Sequence, residues 1–396
     1  MKALLTVDEA LARILDRTTP LPTEVVPLEA AAGRILAEAV SSPIDLPPFP
    51  SSAMDGYAVR AADLPGALIL VDRVAAGRPS ARVLAAGETI EVSTGGVVPV
   101  GADTVVPLEQ VVCRGERIEV PEAVVVGDNV RRVASDVRAG AELLAAGSTL
   151  TPSRLAALAA CGVAHVRCGR RPGVAVVVTG TELRPPGESL RPGEIYESNG
   201  LMLAAVFEAA GAVVERLAAT EDDREAHARS LERALKADVV VTSGGVSVGP
   251  HDLVRSVGAE LGVEEVFWGV AMRPGKPVAF GMRGTTLVFG LPGNPLSSLV
   301  GCLLFVRPAL VALQGDPDPA PPFRPGVLAK EVRRRPERDE FVRARLSWSE
   351  REPVLEPIGG QESHMIVRSA AADAIVHVPR GEGSLPAGAA VRYLAL

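Results

Sequence analysis

Aromatic residues are scarce in this chain. Phe, Trp and Tyr make up 3% of 396 residues, while apolar residues reach 47%. Its cores must therefore be built mainly from Val, Leu and Ala. Cysteine is scarce too: Cys113, Cys161, Cys168 and Cys302 contain no CxxC pair. This pattern excludes a disulfide framework and a cysteine zinc site, and the four read as buried small hydrophobes in a reducing compartment. Positive charge is not in excess. The net charge of −7 argues against a dedicated nucleic-acid partner, which would call for a basic protein. An anionic ligand would need a locally cationic site within an acidic molecule. No segment reaches the ~18 uninterrupted apolar residues of a membrane span. The first residues lack a signal-peptide pattern. The expectation is a soluble cytoplasmic protein with no membrane partner. His251, His364 and His377 are isolated and read as structural or incidental, and no Ser/His/Asp triad stands out.

What is present is punctuation and alternation. The 39 Gly and 33 Pro mark many turns, and the length implies several domains. Thr6-Val7-Asp8-Glu9 reads as a capping box opening a helix with Val7, Leu11, Ile14 and Leu15 on one face. From about Ile44 to Asp136 the runs LILVDRVAAG, TIEVSTGGVV and DTVVPLEQVV are strand-like. From Val174 to about Leu313 strands alternate with helices. Val174–Val178, Val213–Leu217 and Val239–Val241 read as strands; Leu201–Gly211 and 223–235 read as helices. That alternation predicts a parallel sheet covered on its faces. Pro317–Pro325 is a proline-rich break, and the remaining residues return to short strands.

Several loops in the alternating region suit an anion. Gly244-Gly245 follow a strand end, where open α/β sheets bind ligands and where backbone N–H groups can approach a phosphate. A glycine turn that binds nothing would look the same. MRPGKP sets Arg273 and Lys276 either side of a Pro-Gly turn, which can aim two cations at one place or leave both in solvent. LPGNPLSS gives a second rigid turn, with Pro292 in it, Pro295 at a helix start and Ser297 and Ser298 in the first helical turn. Asp222-Asp223 and Asp252 open helices. They are either N-caps or carboxylates for Mg²⁺, which takes one or two of them plus substrate phosphates. In the β-rich region SSAMDGY presents Asp55, STGG presents Thr94, and NVRRVASDV brings Arg131, Arg132 and Asp136 close together.

Taken in order, SAMDGYAVR, STGGVVP with PLEQ, NVRRVASDV, VVTGTEL, GEIYESN, TSGGVSVGPHD, MRPGKPVAFG and GLPGNPLSS resemble the molybdopterin molybdenumtransferase family, MoeA and the related gephyrin E domain. The resemblance covers nearly the whole chain. It implies a multidomain α/β and β fold. Residues 1–19 would be a helix packing on the α/β domain. Residues 20–40 and 138–168 would form an elongated linking domain, and 41–137 a β-rich domain. A central doubly wound molybdopterin-binding α/β domain would span 169–316, and a terminal β-barrel 317–396. It also implies a homodimer whose active cleft is shared between the α/β domain of one subunit and the SAMDGYA domain of the other.

The implied reaction inserts molybdate into adenylylated molybdopterin with Mg²⁺, releasing AMP and the molybdenum cofactor. Carried over by position, Asp55, Thr94, Asp136, Asp223, Asp252 and Lys276 are catalytic, with Asp223 and Asp252 as Mg²⁺ ligands. Glu197, Gly244, Gly245, Ser247, Arg273, Pro292, Pro295 and Ser297 bind substrate; of these Arg273 and Ser297, with Lys276, match the family's oxyanion pocket, and Arg338 and Ser363 form its outer wall. The chain departs from the family at Thr181, where Asp is frequent, and at Arg273, where Lys is common and where a planar guanidinium alters the pocket. Alternatives are a molybdopterin adenylyltransferase, which shares the α/β domain but has a GGTG turn and no flanking domains, a nicotinamide-nucleotide amidase on the same fold, and a non-catalytic gephyrin-like scaffold.

Overall fold

The computed structural model describes residues 4–220, 224–244 and 253–396. The N-terminal helix, Val7–Leu15, starts as its sequence dictates: Glu9 N donates to Thr6 Oγ1 at 3.1 Å and Thr6 N donates to Glu9 Oε2 at 2.8 Å. Its apolar face includes Ala10 as well as Val7 and Ile14, and it packs into the core of the α/β sheet.

The chain then forms an extended connecting body. Thr23–Pro27 pairs antiparallel with His165–Gly169, and Val40–Ser41 with Glu142–Leu144. The helix Pro152–Ala160 closes over them, around Val26, Leu28, Leu36, Leu150, Leu158, Val166 and Cys168. Between the two halves lies a six-stranded sheet in the order Thr104–Pro107, Gly56–Val59, Glu88–Val92, Gly66–Val74, Arg117–Val120, Val112–Arg114. Strand alternation sends Tyr57 and Val59 to one small core and Ala58 to another.

The α/β sheet runs Val213–Thr220, Gly173–Thr179, Val239–Ser243, Thr286–Leu291, Ala279–Arg283, Glu264–Trp268. The first four strands are parallel and the last two antiparallel. Val174, Val176 and Val178 face the helices Asn199–Ala209 and Pro295–Leu313, while Ala175 and Val177 face Arg224–Ala234 and Leu253–Glu260. This is the doubly wound arrangement. From Gly173–Thr179 the chain steps to one neighbouring strand and then returns to pair Val239–Ser243 on the other side. The topological switch therefore lies between these two strand ends, at Thr179 and Ser243.

The helical run Pro295–Leu313 is long and apolar enough to cross a membrane by those criteria alone, but 89% of its apolar window is buried inside the protein. A wide turn at Cys302–Val306 interrupts it just before Pro308, which has no N–H to donate to the helix. The C-terminal region is a closed barrel. Asp339–Trp348, Pro353–Pro357, Arg324–Leu328, Ala390–Ala395 and Ala374–Val378 pair in sequence, and the last returns to the first. Met272–Arg273, from the α/β region, pairs parallel with Asp339–Glu340 and joins the two bodies.

Of the cysteines, three are buried as expected, and burial pushes the Cys302 thiol far up. Cys113 is the correction: it is exposed, 3.3 Å from the Tyr57 hydroxyl. It lies on the edge strand Val112–Arg114, where all three residues face solvent.

Candidate active site

Two neighbouring features share one wall, the turn Leu291–Pro295. The first is the crevice at the topological switch. Gly244 sits at φ +96°, and a Cβ there would meet Thr179 O and Thr179 Oγ1, each at 2.9 Å. Only glycine meets both constraints. Its N–H donates to Leu291 O at 3.1 Å. Asn199, at the start of its helix and 7% exposed, donates through Nδ2 to Ser243 Oγ at 2.9 Å and to Gly293 O at 2.7 Å. One amide thus ties two strand ends to a helix start.

Glu197, expected to bind substrate, has one of its two carboxylate oxygens engaged locally. Its Oε1 accepts from Gly200 N at 2.6 Å, so it closes the first turn of that helix. Gly245, Ser247, Asp223 and Asp252 lie outside the described residues, as does His251. Thr181 has its carbonyl bonded by Arg184 at 2.9 Å.

The second feature is a cavity of about 440 Å³ between the α/β region and the barrel. It brings together the residues expected of an oxyanion pocket: Arg273, Lys276, Ser297, Arg338 and Ser363. They come from stretches up to 90 residues apart in sequence, joined by the pairing of Met272–Arg273 with the barrel. Pro295 sits at the first turn of its helix, as expected, and Pro292 O accepts from Ser298 Oγ. Ser298 is fully buried and also lies 3.3 Å from Ser243 Oγ, so it braces the turn and is not an anion donor. Ser297, without a side-chain bond among the described residues, lines the cavity.

The cations differ in their freedom. Arg273 Nη1 donates to Glu340 Oε1 at 3.2 Å, and Arg335 Nε reaches the same oxygen at 3.0 Å. Arg273 is thus partly neutralised. Arg338 has only a loose pairing with Glu337, at 3.8 Å. Lys276 is exposed and has no ion pair among the described residues. The sequence reading missed Glu340, which lies opposite Arg273 in strand register. It also missed Asn294, Gln361, Glu362 and His364 in the lining. His364, read as structural or incidental, thus lies in the cavity wall. Its flanking Ser363 was the available signal.

The β-rich region holds a separate group. Asp55 Oδ1 accepts from Thr94 N at 2.6 Å and from Thr94 Oγ1 at 3.0 Å. Those bonds, the backbone one foremost, hold the Asp55 carboxyl below the usual range. The loop is anchored by Gly95 N to Ser52 O at 2.8 Å and by Ala53 N to Asn129 O at 2.9 Å. Asp136 is exposed, placed by its N–H to Leu46 O at 3.0 Å, with Ala134 in the left-handed region at φ 57° nearby. Arg131, Arg132 and Asp136 share one turn, in which Ser135 N donates to Arg132 O at 3.2 Å, with no ion pair between them among the described residues. Nor does any described hydrogen bond or ion pair link residues 41–136 to residues 170–396.

The whole chain has known relatives. Residues 5–162 match the MoeA N-terminal region, domains I and II; 175–312 match a probable molybdopterin-binding domain; and 325–396 match the MoeA C-terminal region, domain IV. A Mycobacterium tuberculosis protein named molybdopterin molybdenumtransferase 2 is 37% identical, with 92% of each chain covered. A Haemophilus influenzae molybdopterin molybdenumtransferase is 34% identical, with 98% of each covered. The crystal structure of a molybdopterin biosynthesis MoeA protein from Pyrococcus horikosii superposes with a TM-score of 0.80 at 33% identity, covering 99% of both chains. The flanking domains, which an adenylyltransferase of this fold would lack, are present and matched. The chain belongs to the MoeA family of molybdopterin molybdenumtransferases.

Proposed function

We propose that the protein inserts molybdate into adenylylated molybdopterin in the cytoplasm, with Mg²⁺, releasing AMP and the molybdenum cofactor. The observation that carries this reading is the cavity of about 440 Å³ in which Lys276, Arg338, Ser297 and Ser363 converge beside the switch-point crevice. Both substrates are anions. The cavity has room and donors for a tetrahedral oxyanion, and the crevice has a glycine at its strand end for a phosphorylated pterin. Lys276 and Arg338 bind the oxyanion by charge, and the two serine hydroxyls orient it. The shared turn Leu291–Pro295 keeps the two anions side by side, so ligand exchange proceeds between positioned partners. No covalent protein nucleophile is required.

Among the described residues no group of three His, Cys, Asp or Glu side chains gathers to hold a metal. Mg²⁺ needs only one or two protein carboxylates when substrate phosphates supply the rest. Asp223 and Asp252 are the residues assigned to hold it. When bound, the ion supplies charge neutralisation at the leaving phosphate.

The Asp55–Thr94 pair and Asp136 belong to the same reaction through a homodimer, in which they close the cleft of the partner subunit. Their isolation from the cavity within one chain supports that assignment. Incubating the protein with adenylylated molybdopterin, molybdate and Mg²⁺ tests the reading. AMP should appear in a molybdate-dependent manner, and AMP release that ignores molybdate would contradict it.

A further inference from the structure

The outer wall of the oxyanion cavity is a segment of about eight residues, 358–365, between the strand Pro357 ends and the turn that begins at Ile366. It carries Gln361, Glu362, Ser363 and His364 into the lining. It has no regular secondary structure, so something else must fix it.

One residue does. Arg343 lies on the barrel strand Asp339–Trp348 and is fully buried. Its guanidinium donates to the carbonyls of Gly360 and Met365, to Glu362 O at 3.4 Å and to Ser369 Oγ at 3.3 Å. Its backbone is gripped in return: Arg343 N donates to Gln361 Oε1 at 3.0 Å, and Gln361 Nε2 donates to Arg343 O at 2.9 Å and to Ile358 O at 2.6 Å. Both ends of the segment are thus tied to a single position. The wall is also latched to the α/β region, where Leu296 N donates to Ser363 O at 3.3 Å.

This is an expensive way to build a barrel. No carboxylate forms an ion pair with Arg343 among the described residues, and its Nε has no partner at all. Burial accordingly depresses its basicity. An apolar side chain would fill a strand interior without that desolvation cost. What the guanidinium adds is a planar fork that fixes several carbonyls of an irregular segment at once.

We infer that Arg343 is a positioning residue for the oxyanion site: it sets the wall that places Ser363 and His364 opposite Lys276. It touches no substrate and acts through the carbonyls of the segment. The inference rests on the reading of the cavity as the molybdate site.

The test measures binding directly, by calorimetric titration of molybdate into wild type, Lys276→Ala, Arg343→Met, Arg343→Lys and Gln361→Ala. Hydrogen exchange of residues 358–365 is followed in the same samples. Wild type should bind, and Lys276→Ala should weaken binding. If either fails, the reading of the cavity falls, independently of Arg343. Given both, Arg343→Met should lose about tenfold or more in molybdate affinity, since small misplacements of a binding group cost on that scale. Exchange should rise in 358–365 and remain slow in the barrel strands. Affinity for the adenylylated pterin should change far less. Arg343→Lys, which can reach fewer carbonyls, should recover only part of the loss. If Arg343→Met does not fold, Gln361→Ala decides, because it cuts the segment's grip on the backbone without opening the core. It should show the same faster exchange and weaker molybdate binding. Wild-type molybdate affinity in a folded Arg343→Met protein, or in Gln361→Ala when the former does not fold, overturns the inference.

Discussion

The oxyanion cavity and the Asp55 loop are built on opposite plans. In the cavity, residues from four sequence stretches meet because a short strand, Met272–Arg273, crosses into the barrel sheet. Its cations are held in graded states, from the paired Arg273 to the free Lys276. The Asp55 loop, by contrast, is satisfied by its immediate neighbours. Thr94 supplies both of its bonds, and no described contact reaches the α/β region. The first is a site that one chain can complete. The second is a preorganised carboxylate, held below the usual range by Thr94, with no described bond to the cavity residues of its own chain. The difference is what a cleft shared between two subunits, as proposed above, would require.

The largest expected effect sharpens the cavity side. Lys276→Ala removes the unpaired cation, which costs a charge-assisted hydrogen bond of roughly 1.5–3 kcal/mol, or about one to two decades in molybdate affinity. Titrating each substrate separately checks it. Collapse of pterin binding with molybdate dependence unchanged would mean that the turn holds phosphate instead.

A smaller effect has the opposite sign. Glu340 draws charge away from the cavity through Arg273. Glu340→Gln should free that guanidinium and tighten molybdate binding by roughly three- to tenfold, about 0.7–1.4 kcal/mol after allowance for solvent screening. Weaker binding in that variant would show that Glu340 is needed to aim Arg273.

The smallest effect concerns stability at the barrel. His377 is held below the usual histidine range by burial, against the opposing pull of Asp339, with Arg392 and Asp8 also nearby. Folding therefore favours the neutral ring. That contribution is complete above about pH 6.5 and is lost as pH falls through the lower folded value. Melting temperature should drop on acidification from pH 7 to 5, and His377→Gln should flatten the drop. An unchanged slope in the variant assigns the acid sensitivity to the carboxylates.

Much of this was legible in the sequence, for identifiable reasons. Thr6 and Glu9 lie three residues apart, so their capping box is a local fact. The two central strands Gly173–Thr179 and Val239–Ser243 are Val-rich runs, each followed by a glycine. Arg273, Lys276 and Ser297 could be grouped because two rigid turns carry them. What escaped was set by pairing across the fold. Glu340 matters because it falls opposite Arg273 in register, and Arg343 because a closed barrel buries it against an irregular segment. The Glu197 bond is a local fact of the opposite kind: a carboxylate three residues before Gly200 accepts from that residue's N–H. Arg131 and Arg132 are near Asp136 in sequence, yet no described ion pair forms between them.

The central claim is that the cation half of the site and the Asp55 half come from different subunits. Activity of mixed dimers tests it most directly. Asp55→Ala and Lys276→Ala homodimers each carry a fault in both sites. In a heterodimer of the two, shared clefts place both faults in one site and leave the other intact. Verified heterodimers should therefore release AMP at about half the wild-type rate, far above either parent, an outcome expected only for sites completed in trans. Heterodimers as poor as their parents would place Asp55 and Lys276 in the same subunit's site and contradict the account.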